Sequence, residues 1–508
     1  MNYLQSQNQS KAIICLTLIL LSLTVYSQKY DYTWPMGYLE PANQGWGLSS
    51  LDFNSGHVQK KFLIEIPLIS IGYTGSFIND KNGNLILMSN GCSIMHGDGV
   101  NIIDGDSLNP GRDFNTYCKQ GIDRSYPIIN GNFFLTSKSW GETYILIHQS
   151  SLPDNSIKDF VGDHIYFSIV ERNAQGNFYV SKKNQDISAG YSMITTVSAV
   201  EHPDGQHWWI HFRAYQGNRH HLVLIGKNGI VQRDSQELGA TIRSTNDPAC
   251  LQPRFSPDGN KYVFATKASG IEIYDFDRAI GKLSPPKIIR TYDDSLFSRG
   301  FCFSPNSKLF YYTKDTFVFQ VNLEDTTLTS VEVGTAWGTD DNGWPYVAGL
   351  MHLGPDCRIY MSPNSSQRRM HVIHHPNVIG VGCGFEKSAI IMPTRISFAV
   401  PNFMQFRSTG GAQLCDSSIQ WFTTSIDDPT IISGLKVYPN PASDILWLNI
   451  ERIGASKNVL LFDLNGKEIG KYPIAEGVMN IPTREIENGF YILTSDDKSW
   501  SRKVVIQH

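Results

Sequence analysis

Several features that would assign a protein to a class are missing from this chain of 508 residues. Beyond its N-terminal region, no stretch is long and apolar enough to form the ~20-residue helix that spans a bilayer. The net charge of -4 lacks the basic excess of nucleic-acid-binding proteins, so we expect no nucleic-acid partner. No long segment keeps a helical period, whereas short runs of Tyr, Phe, Ile and Val alternate with turn residues. The sequence therefore predicts an all-β protein.

Recognisable catalytic and metal-binding motifs are also missing. The chain has no Gly-x-Ser-x-Gly sequence, no Walker-type phosphate loop and no His-Glu-x-x-His sequence. No two cysteines form a Cys-x-x-Cys pair, which argues against zinc ribbons and thioredoxin-like sites. A carboxylate pair for glycoside hydrolysis would come from distant segments and escape such a search. We therefore name no catalytic residue and no required cofactor from the sequence.

The N-terminus has the pattern of a secretory signal peptide, which we assign to residues 1–27. Lys11 precedes an apolar run from Ala12 to Val25, and Ser27 supplies a small residue at the cleavage point. The apolar run is shorter than a membrane-spanning helix requires. We therefore expect export from the cytoplasm and no transmembrane span in the mature chain.

A repeated pattern occupies residues 77 to 365: an apolar strand, a turn rich in Pro, Asn, Asp and Gly, and a second strand. Its clearest copy is 255–264, where Pro257 presets φ, Asp258 caps its own backbone and Gly259 accepts a positive φ. The clearer copies recur about every 50 residues, and propeller blades repeat at roughly 40–50 residues. The pattern predicts a β-propeller over residues 28–407 with seven blades, or six as the alternative.

The turns near Pro257, Pro305 and Pro355 resemble those of WD-like and TolB-like β-propellers, a resemblance that implies no defined activity. A propeller whose chain ends do not meet exposes an unpaired strand edge, which invites aggregation. We therefore expect Trp46–Phe53 to pair with a strand of the last blade, near Ile390–Met404. Residues 408–432 are rich in Gly, Ser, Thr and Asp, which predicts a linker.

Residues 433–508 carry the most specific signal in the chain. Tyr438-Pro439-Asn440-Pro441 opens the segment, Gly489 and Tyr491 lie in a later strand, and Lys503 begins the last strand. This order resembles the type A C-terminal sorting domain of the type IX secretion system of Bacteroidota. The resemblance implies a small β-sandwich, recognition by the type IX secretion machinery, and a secreted or cell-surface location.

One disulfide is predicted, between Cys92 and Cys118. An export route through the oxidising periplasm permits disulfides, and an odd number of cysteines remains outside the signal peptide. Cys92 and Cys118 flank an excursion rich in Gly, Asp and Asn that contributes little core. Closing a loop of about 25 residues would stabilise the fold by roughly 3 kcal/mol. Two buried thiols are the alternative.

Two kinds of residue, histidines and acidic residues, form clusters that could bind a metal ion. Histidines cluster at 202–221 and at 371–375, but no carboxylate among them has a recognisable ligand spacing. We therefore predict exposed strand and turn histidines and no metal site. Asp98, Asp104 and Asp106, and the run 340–342, do not follow the order of a calcium-binding loop. A structural calcium ion is the alternative to a turn-forming role for these acidic residues.

Aromatic residues in or beside the predicted blade loops are the candidate ligand-binding residues, because exposed rings next to Asn and Asp suit sugars or peptides. These are Trp208, Trp209, Trp337, Trp344 and Tyr346. Core packing between blades is the alternative for each of them. Two functional hypotheses follow: a propeller that binds an extracellular glycan or protein without catalysis, or an extracellular enzyme acting on a polysaccharide or glycoconjugate. A carboxylate pair across the central channel would favour the enzyme.

Overall fold

The computed structural model divides into two compact units, the first reaching Gln420 and the second comprising the described residues from Trp421 onward. The signal peptide assigned to residues 1–27 lies outside the described residues. The structure describes residues 28–37, 47–63, 74–112, 114–119, 126, 128–154, 159–190, 197–242, 252–266, 269–290, 298–339, 343, 345–363, 365–396, 401–406, 415–421, 435–450, 457–463, 467–474, 477–496 and 501–508.

Within these ranges, the first unit contains seven successive antiparallel sheets and one two-stranded ribbon. Sheets 1 to 3 comprise β1 (Thr33–Gly37), β2 (Leu48–Asp52) and β3 (Gln59–Phe62); β4 (Ser76–Asn79), β5 (Leu85–Ser89) and β6 (Ile94–His96); and β7 (Asn132–Leu135), β8 (Tyr144–Asp154), β9 (Asp159–Arg172) and β10 (Phe178–Asp186). Sheets 4 and 5 comprise β11 (Ser198–Glu201), β12 (His207–Arg213), β13 (Gly217–Gly226) and β14 (Gly229–Ile242); and β15 (Arg254–Phe255), β16 (Lys261–Thr266), β17 (Gly270–Asp277), β18 (Lys282–Leu283) and β19 (Lys287–Ile289).

Sheet 6, the ribbon and sheet 7 complete the first unit. They comprise β20 (Ser298–Phe303), β21 (Leu309–Lys314), β22 (Phe317–Asn322) and β23 (Ser330–Thr335); β24 (Gly338–Thr339) and β25 (Pro345–Tyr346); and β26 (Ala348–Leu353), β27 (Ile359–Pro363), β28 (Gln367–Ile373) and β29 (Phe385–Ile396). Three short helical turns lie at Phe114–Cys118, Lys138–Trp140 and Gly380–Cys383. Each sheet joins strands that follow one another in the chain, as propeller blades do.

The predicted turn chemistry is present between β15 and β16. The Oγ atom of Ser256 accepts a hydrogen bond from the N–H of Lys261 at 2.9 Å. The Oδ1 atom of Asp258 accepts one from the N–H of Asn260 at 3.1 Å, and Gly259 has a φ of 73°. The turn therefore sets the register of these strands, as the repeated sequence pattern indicates.

Apolar side chains between neighbouring sheets form the core. One buried cluster joins sheets 4, 5 and 6, and includes Trp209, Tyr262, Phe264, Tyr274 and Phe310. The first strands of neighbouring sheets contact one another: β11 contacts β15, and β20 contacts β26. The first strand of each sheet therefore lies nearest the centre of the ring. The fold is thus an all-β propeller, as predicted, while the number of blades stays a prediction.

Residues Pro401–Phe406, which we call the axial segment, contact five of the seven sheets. The ring of Phe403 lies 6.2 Å from that of Trp34 in sheet 1, and 5.9 Å from that of His352 in sheet 7. Asn402 donates hydrogen bonds to two carbonyl groups that begin sheet 3. Further contacts join the segment to Trp208 of sheet 4 and Arg254 of sheet 5. These contacts place the axial segment at the centre of the ring.

The first and last sheets are also joined by residues 415–420, which we call the closing segment. A disulfide between Cys357 and Cys415, with a Cα–Cα distance of 5.1 Å, ties the segment to the turn before β27. At its other end, the N–H of Gln420 donates to the carbonyl of Gly56 at 2.8 Å. The carbonyl of Gln420 accepts from the N–H of Val58 at 3.1 Å. The closing segment therefore bridges sheet 7 and sheet 1.

The predicted ring closure is wrong. The strand expected within Trp46–Phe53 is β2, and its partners are β1 and β3 rather than a strand near Ile390–Met404. The last strand, β29, instead contacts all three strands of sheet 1, and Ser49 Oγ lies 2.8 Å from Thr394 Oγ1. Strand exchange is unnecessary here because face packing and the closing segment already join the two ends of the ring.

The cysteines form two disulfides among the described residues. The structure joins the predicted pair, Cys92 and Cys118, with a Cα–Cα distance of 5.6 Å, and Cys357–Cys415 is the second bond. Cys302 and Cys383 are buried thiols, and Cys250 lies outside the described residues. The second disulfide shows that part of the predicted linker 408–432 belongs to the first compact unit.

The second unit is a small two-sheet structure. One sheet has the strand order β30 (Leu435–Tyr438), β31 (Ile445–Ile450) and β34 (Gly477–Pro482). The other has the order β33 (Glu468–Pro473), β32 (Asn458–Asp463), β35 (Gly489–Ser495) and β36 (Ser501–Ile506). Buried Leu, Ile, Val and Met side chains from both sheets form its core. This is the expected β-sandwich.

Trp34 supplies a test of how the ring is held together. It is fully buried against Phe53, His352 and Tyr360, with ring centroids 5.1 to 5.2 Å away. We predict that Trp34→Ala lowers the free energy of unfolding of the mature protein by about 3–5 kcal/mol, because it leaves a large cavity between sheets 1 and 7. Urea denaturation followed by fluorescence measures this difference.

Trp337→Ala is the matched control for Trp34→Ala. The Trp337 side chain is 54% exposed, so its removal should change the free energy of unfolding by less than about 0.5 kcal/mol. Equal effects of the two substitutions would contradict a structural role for Trp34 in joining the ends of the ring.

Candidate functional site

The axial segment limits the space at the centre of the ring. A cavity of about 50 Å³ lies between this segment and the first strands of sheets 4 to 7. This volume is far below the roughly 300–1,000 Å³ of usual ligand pockets, so the cavity has room for a few waters and not for a sugar ring. Its lining contains Arg254, Cys302 and His352 but no Asp or Glu among the described residues. The carboxylate pair that would favour an enzyme is therefore not present in this cavity.

Arg254 is the charged group of this cavity. Its guanidinium donates to the carbonyl oxygens of Phe403 and Met351, at 3.2 and 3.3 Å. Burial lowers the pKa of Arg254 to about 10, so the side chain remains charged at neutral pH. These contacts assign Arg254 to holding the axial segment in place.

A larger open groove of about 860 Å³ lies where sheets 4 and 5 meet, and it is the candidate ligand site. Ligand pockets usually measure about 300–1,000 Å³. One wall is the turn between β17 and β18, residues 277–282, and another is the Ser256–Lys261 turn of the same sheet. Pro203, from the turn between β11 and β12, completes the groove on the side of sheet 4.

Two hydrogen bonds from sheet 4 hold the 277–282 turn. The indole Nε1 of Trp209 donates to the carbonyl of Arg278 at 2.8 Å, and Nε2 of His202 lies 3.2 Å from the carbonyl oxygen of Ala279. Gly281 has a φ of 67°, and a Cβ atom at this position would lie 2.6 Å from the Trp209 ring. The groove wall is thus built directly on a buried tryptophan of the neighbouring sheet.

Charged side chains of both signs line the groove, in equal numbers. Its acidic side chains are Asp258, Asp275 and Asp277, and its basic ones are Lys261, Arg278 and Lys282. Lys261 Nζ lies 2.6 Å from Asp275 Oδ1, and Lys282 Nζ lies 2.6 Å from Asp234 Oδ2. Exposed Ile280 adds an apolar contact. Such a surface can exchange hydrogen bonds with a polar ligand of low net charge.

The aromatic candidates fall into three groups. Trp208 and Trp209 are buried, so core packing between sheets is their role, and Trp209 reaches the groove only as its support. Trp337 is exposed after β23, where its carbonyl accepts from Lys387 Nζ at 3.3 Å. Tyr346 belongs to β25, and Trp344 lies outside the described residues. Sequence reasoning missed the groove because its residues read as ordinary turn residues.

The prediction of exposed histidines is wrong for those at the centre of sheet 4. His211 and His220 are buried, and their Nε2 and Nδ1 atoms lie 2.8 Å apart. Arg213, also buried, lies 2.6 Å from Nε2 of His220. Burial lowers the pKa of both histidines well below the usual range, and the positive charge of Arg213 lowers them further. They are therefore neutral packing residues.

The remaining residues that were weighed as metal ligands are His371, the run 340–342, and the acidic residues of the 98–106 loop. His371 is buried on β28 of sheet 7, where burial lowers its pKa to about 4. The acidic run 340–342 lies outside the described residues. Asp98 Oδ1 accepts the N–H of Val100 at 3.0 Å, and Asp106 pairs with Lys183 at 3.4 Å. These contacts are those of turn residues and a surface ion pair.

The sorting-motif residues lie on or beside β30, β35 and β36 of the second unit. Asn440 follows β30, and its Oδ1 accepts the N–H of Val505 in β36 at 2.8 Å. Tyr491 is buried on β35 and donates its hydroxyl to the carbonyl of Glu487 at 2.7 Å. Lys503, on β36, pairs with Ile492. Tyr438, Pro439, Pro441 and Gly489 occupy the adjoining strand ends.

Comparison with known proteins agrees with this geometry. Residues 436–507 match the family of secretion system C-terminal sorting domains. The sequence-based resemblance to the type IX sorting domain is therefore confirmed, and the chain carries the signal of a secreted or cell-surface protein. We find no match to the chain among curated proteins. None of the helices in the described ranges is long and apolar enough to cross a membrane.

Several solved structures resemble the chain in fold. A Bacteroides fragilis protein assigned as a 6-phosphogluconolactonase is 10% identical, with a TM-score of 0.42. The match covers 73% of this chain and 97% of that protein. The periplasmic gluconolactonase of Pseudomonas aeruginosa is 11% identical, with a TM-score of 0.35 and coverages of 88% and 98%. The β-propeller domain of Cps50 (Swd1) from Myceliophteria thermophila is 10% identical, with a TM-score of 0.36 and coverages of 67% and 95%. None of these similarities bears on activity.

Fold and sorting domain together define the class: a β-propeller protein that carries a C-terminal secretion signal.

Proposed function

We propose that this protein is a secreted or cell-surface binding protein whose propeller holds an extracellular ligand in the groove between sheets 4 and 5. The observation that carries the proposal is the groove itself, which has the volume of a ligand site and is lined by apolar groups and by charged side chains of both signs. The axial cavity supports binding rather than catalysis, because its described lining has no carboxylate.

The ligand class follows from the groove chemistry. Aspartate and asparagine side chains accept and donate hydrogen bonds to hydroxyl groups, while Ile280 and Pro203 offer apolar contacts to the faces of sugar rings. Balanced charge disfavours a strongly ionic partner. We therefore propose an oligosaccharide as the ligand, with a peptide as the competing outcome of the test.

Asp275→Ala tests ligand binding in the groove. The Asp275 side chain is 62% exposed and pairs only with Lys261 among the contacts described, so its loss should not affect folding. We expect it to weaken binding of the array-selected glycan by about tenfold, the effect of losing one hydrogen bond to a charged group. The mature protein is first screened on glycan and peptide arrays, and affinities are then measured by calorimetry.

Glu324→Ala is the matched control for Asp275→Ala. Glu324 forms a similar exposed ion pair with Lys308 in sheet 6, at 2.8 Å and with 61% of its side chain exposed. It should leave affinity unchanged. Binding that survives Asp275→Ala, or that falls equally in both variants, would contradict a ligand site in the groove.

Export provides a separate prediction. A chain ending at Ser425 keeps the whole closing segment but lacks the sorting domain, so it should fold and stay in the periplasm. Cell fractionation with protease resistance measures both properties against the full chain. A chain ending at Thr409 also lacks Cys415, and loss of that disulfide should lower stability by roughly 4 kcal/mol. Appearance of the Ser425 chain outside the cell at the full-length level would contradict the role of the sorting domain.

A further inference from the structure

The side chains of His202, Asp204 and His207 converge at the turn between β11 and β12. Nδ1 of His202 lies 3.1 Å from Asp204 Oδ2, and Nδ1 of His207 lies 2.7 Å from the same oxygen. The three ligand atoms lie within 4.8 Å of one another. Ligand atoms around a tetrahedral zinc ion are about 3.3 Å apart, given bond lengths of about 2.0–2.2 Å. We propose that these three residues bind one divalent transition-metal ion, with zinc as the preferred ion.

The hydrogen bonds of His202 orient it as a metal ligand. Its Nε2 faces the carbonyl oxygen of Ala279, which can only accept, so Nε2 carries the proton. Its Nδ1 accepts the N–H of Asp204 at 3.2 Å and therefore holds a lone pair. Metal-bound histidines commonly donate their second nitrogen to a backbone carbonyl in this way, which fixes the tautomer and the ring orientation.

Backbone N–H groups of its own turn fix the orientation of the Asp204 carboxylate. Oδ1 accepts the N–H groups of Gln206 and His207 at 2.8 and 3.2 Å, which leaves Oδ2 facing the two imidazoles. Its Oδ2 lies 3.1 Å from Nδ1 of His202, which is the unprotonated nitrogen of that ring. A cation between these two acceptors would replace repulsion with attraction.

The site is rigid and reachable. The N–H of His202 donates to the carbonyl of His207 at 2.8 Å, and the His207 ring packs against Gly226. The side chains of His202, Asp204 and His207 are 19%, 33% and 29% exposed, so an ion can enter. Three protein ligands leave a fourth position for water or an exogenous ligand. Two imidazoles favour zinc, copper or nickel over calcium or magnesium.

The metal proposal goes beyond ligand binding in the groove and does not depend on it, although the two sites adjoin. Pro203 and Ala279 line the groove, and they flank or contact His202. An ion at this turn would therefore lie beside the proposed ligand site, with its open position available to oxygen atoms of a bound molecule.

Zinc titration of the mature protein tests the site. The protein carries no polyhistidine tag and is stripped with a chelator before calorimetry with zinc alone. We expect one equivalent to bind, and we expect His207→Gln and Asp204→Asn each to weaken binding by more than about tenfold. Asp204→Asn retains a side-chain oxygen for the turn, so a loss there does not reflect unfolding.

His164→Gln is the matched control, because Nδ1 of His164 lies 2.7 Å from Asp186 Oδ2 in an exposed histidine–aspartate pair on sheet 3. It should leave zinc affinity unchanged. Calcium should show no saturable binding. The proposal is overturned if zinc fails to saturate, if His164→Gln weakens binding as much as His207→Gln does, or if calcium binds as tightly as zinc.

Discussion

Closure of the ring is the constraint on which the rest of this propeller depends. A row of sheets that does not close exposes the faces of its first and last members to water. Here the chain returns after β29 and seals the ring at two levels. The axial segment packs Phe403 against Trp34 and His352 at the centre. The closing segment, fastened by the Cys357–Cys415 disulfide, pairs with the turn of sheet 1 through Gln420.

The candidate site follows from the same packing of one sheet on the next. Trp209 is a core residue of sheet 4, yet its indole N–H supports the turn of sheet 5 that walls the groove. His202 supports the same turn through Ala279. A propeller of this kind places polar turn residues of neighbouring sheets side by side without weakening the core. Binding at the rim therefore needs no opening at the centre of the ring.

The fold could be predicted from the sequence because its signals are local. The Ser256-Pro257-Asp258-Gly259 turn fixes a hairpin through contacts within a few residues, and the sorting segment is recognised by residue order alone. Ring closure could not be predicted, since no local pattern pairs Cys357 with Cys415 or brings Gln420 to Gly56. From the sequence, we expected the two ends of the propeller to share a sheet. In the structure, β29 of sheet 7 instead packs against the face of sheet 1.

The sites were less predictable for a related reason. Trp208 and Trp209 read as exposed loop aromatics, but they are buried where sheets 3, 4 and 5 meet. Asp204 has the sequence context of a turn residue, and it does form the turn. Its proposed second role, as a metal ligand between His202 and His207, therefore had no separate signal in the sequence. Asp275 and Lys282 lie on different strands, and only the β17–β18 turn brings them to one groove.

Hydrogen exchange of a Cys415→Ser variant of the mature protein tests the central claim, that the returning chain holds the whole ring together. Loss of the disulfide should free the closing segment and reduce amide protection throughout all seven sheets, because unfolding of a closed ring is cooperative. The mass spectra should show sheets 3 to 5 losing protection together with sheets 1 and 7. Loss confined to sheets 1 and 7, with sheets 3 to 5 unchanged, would contradict this account.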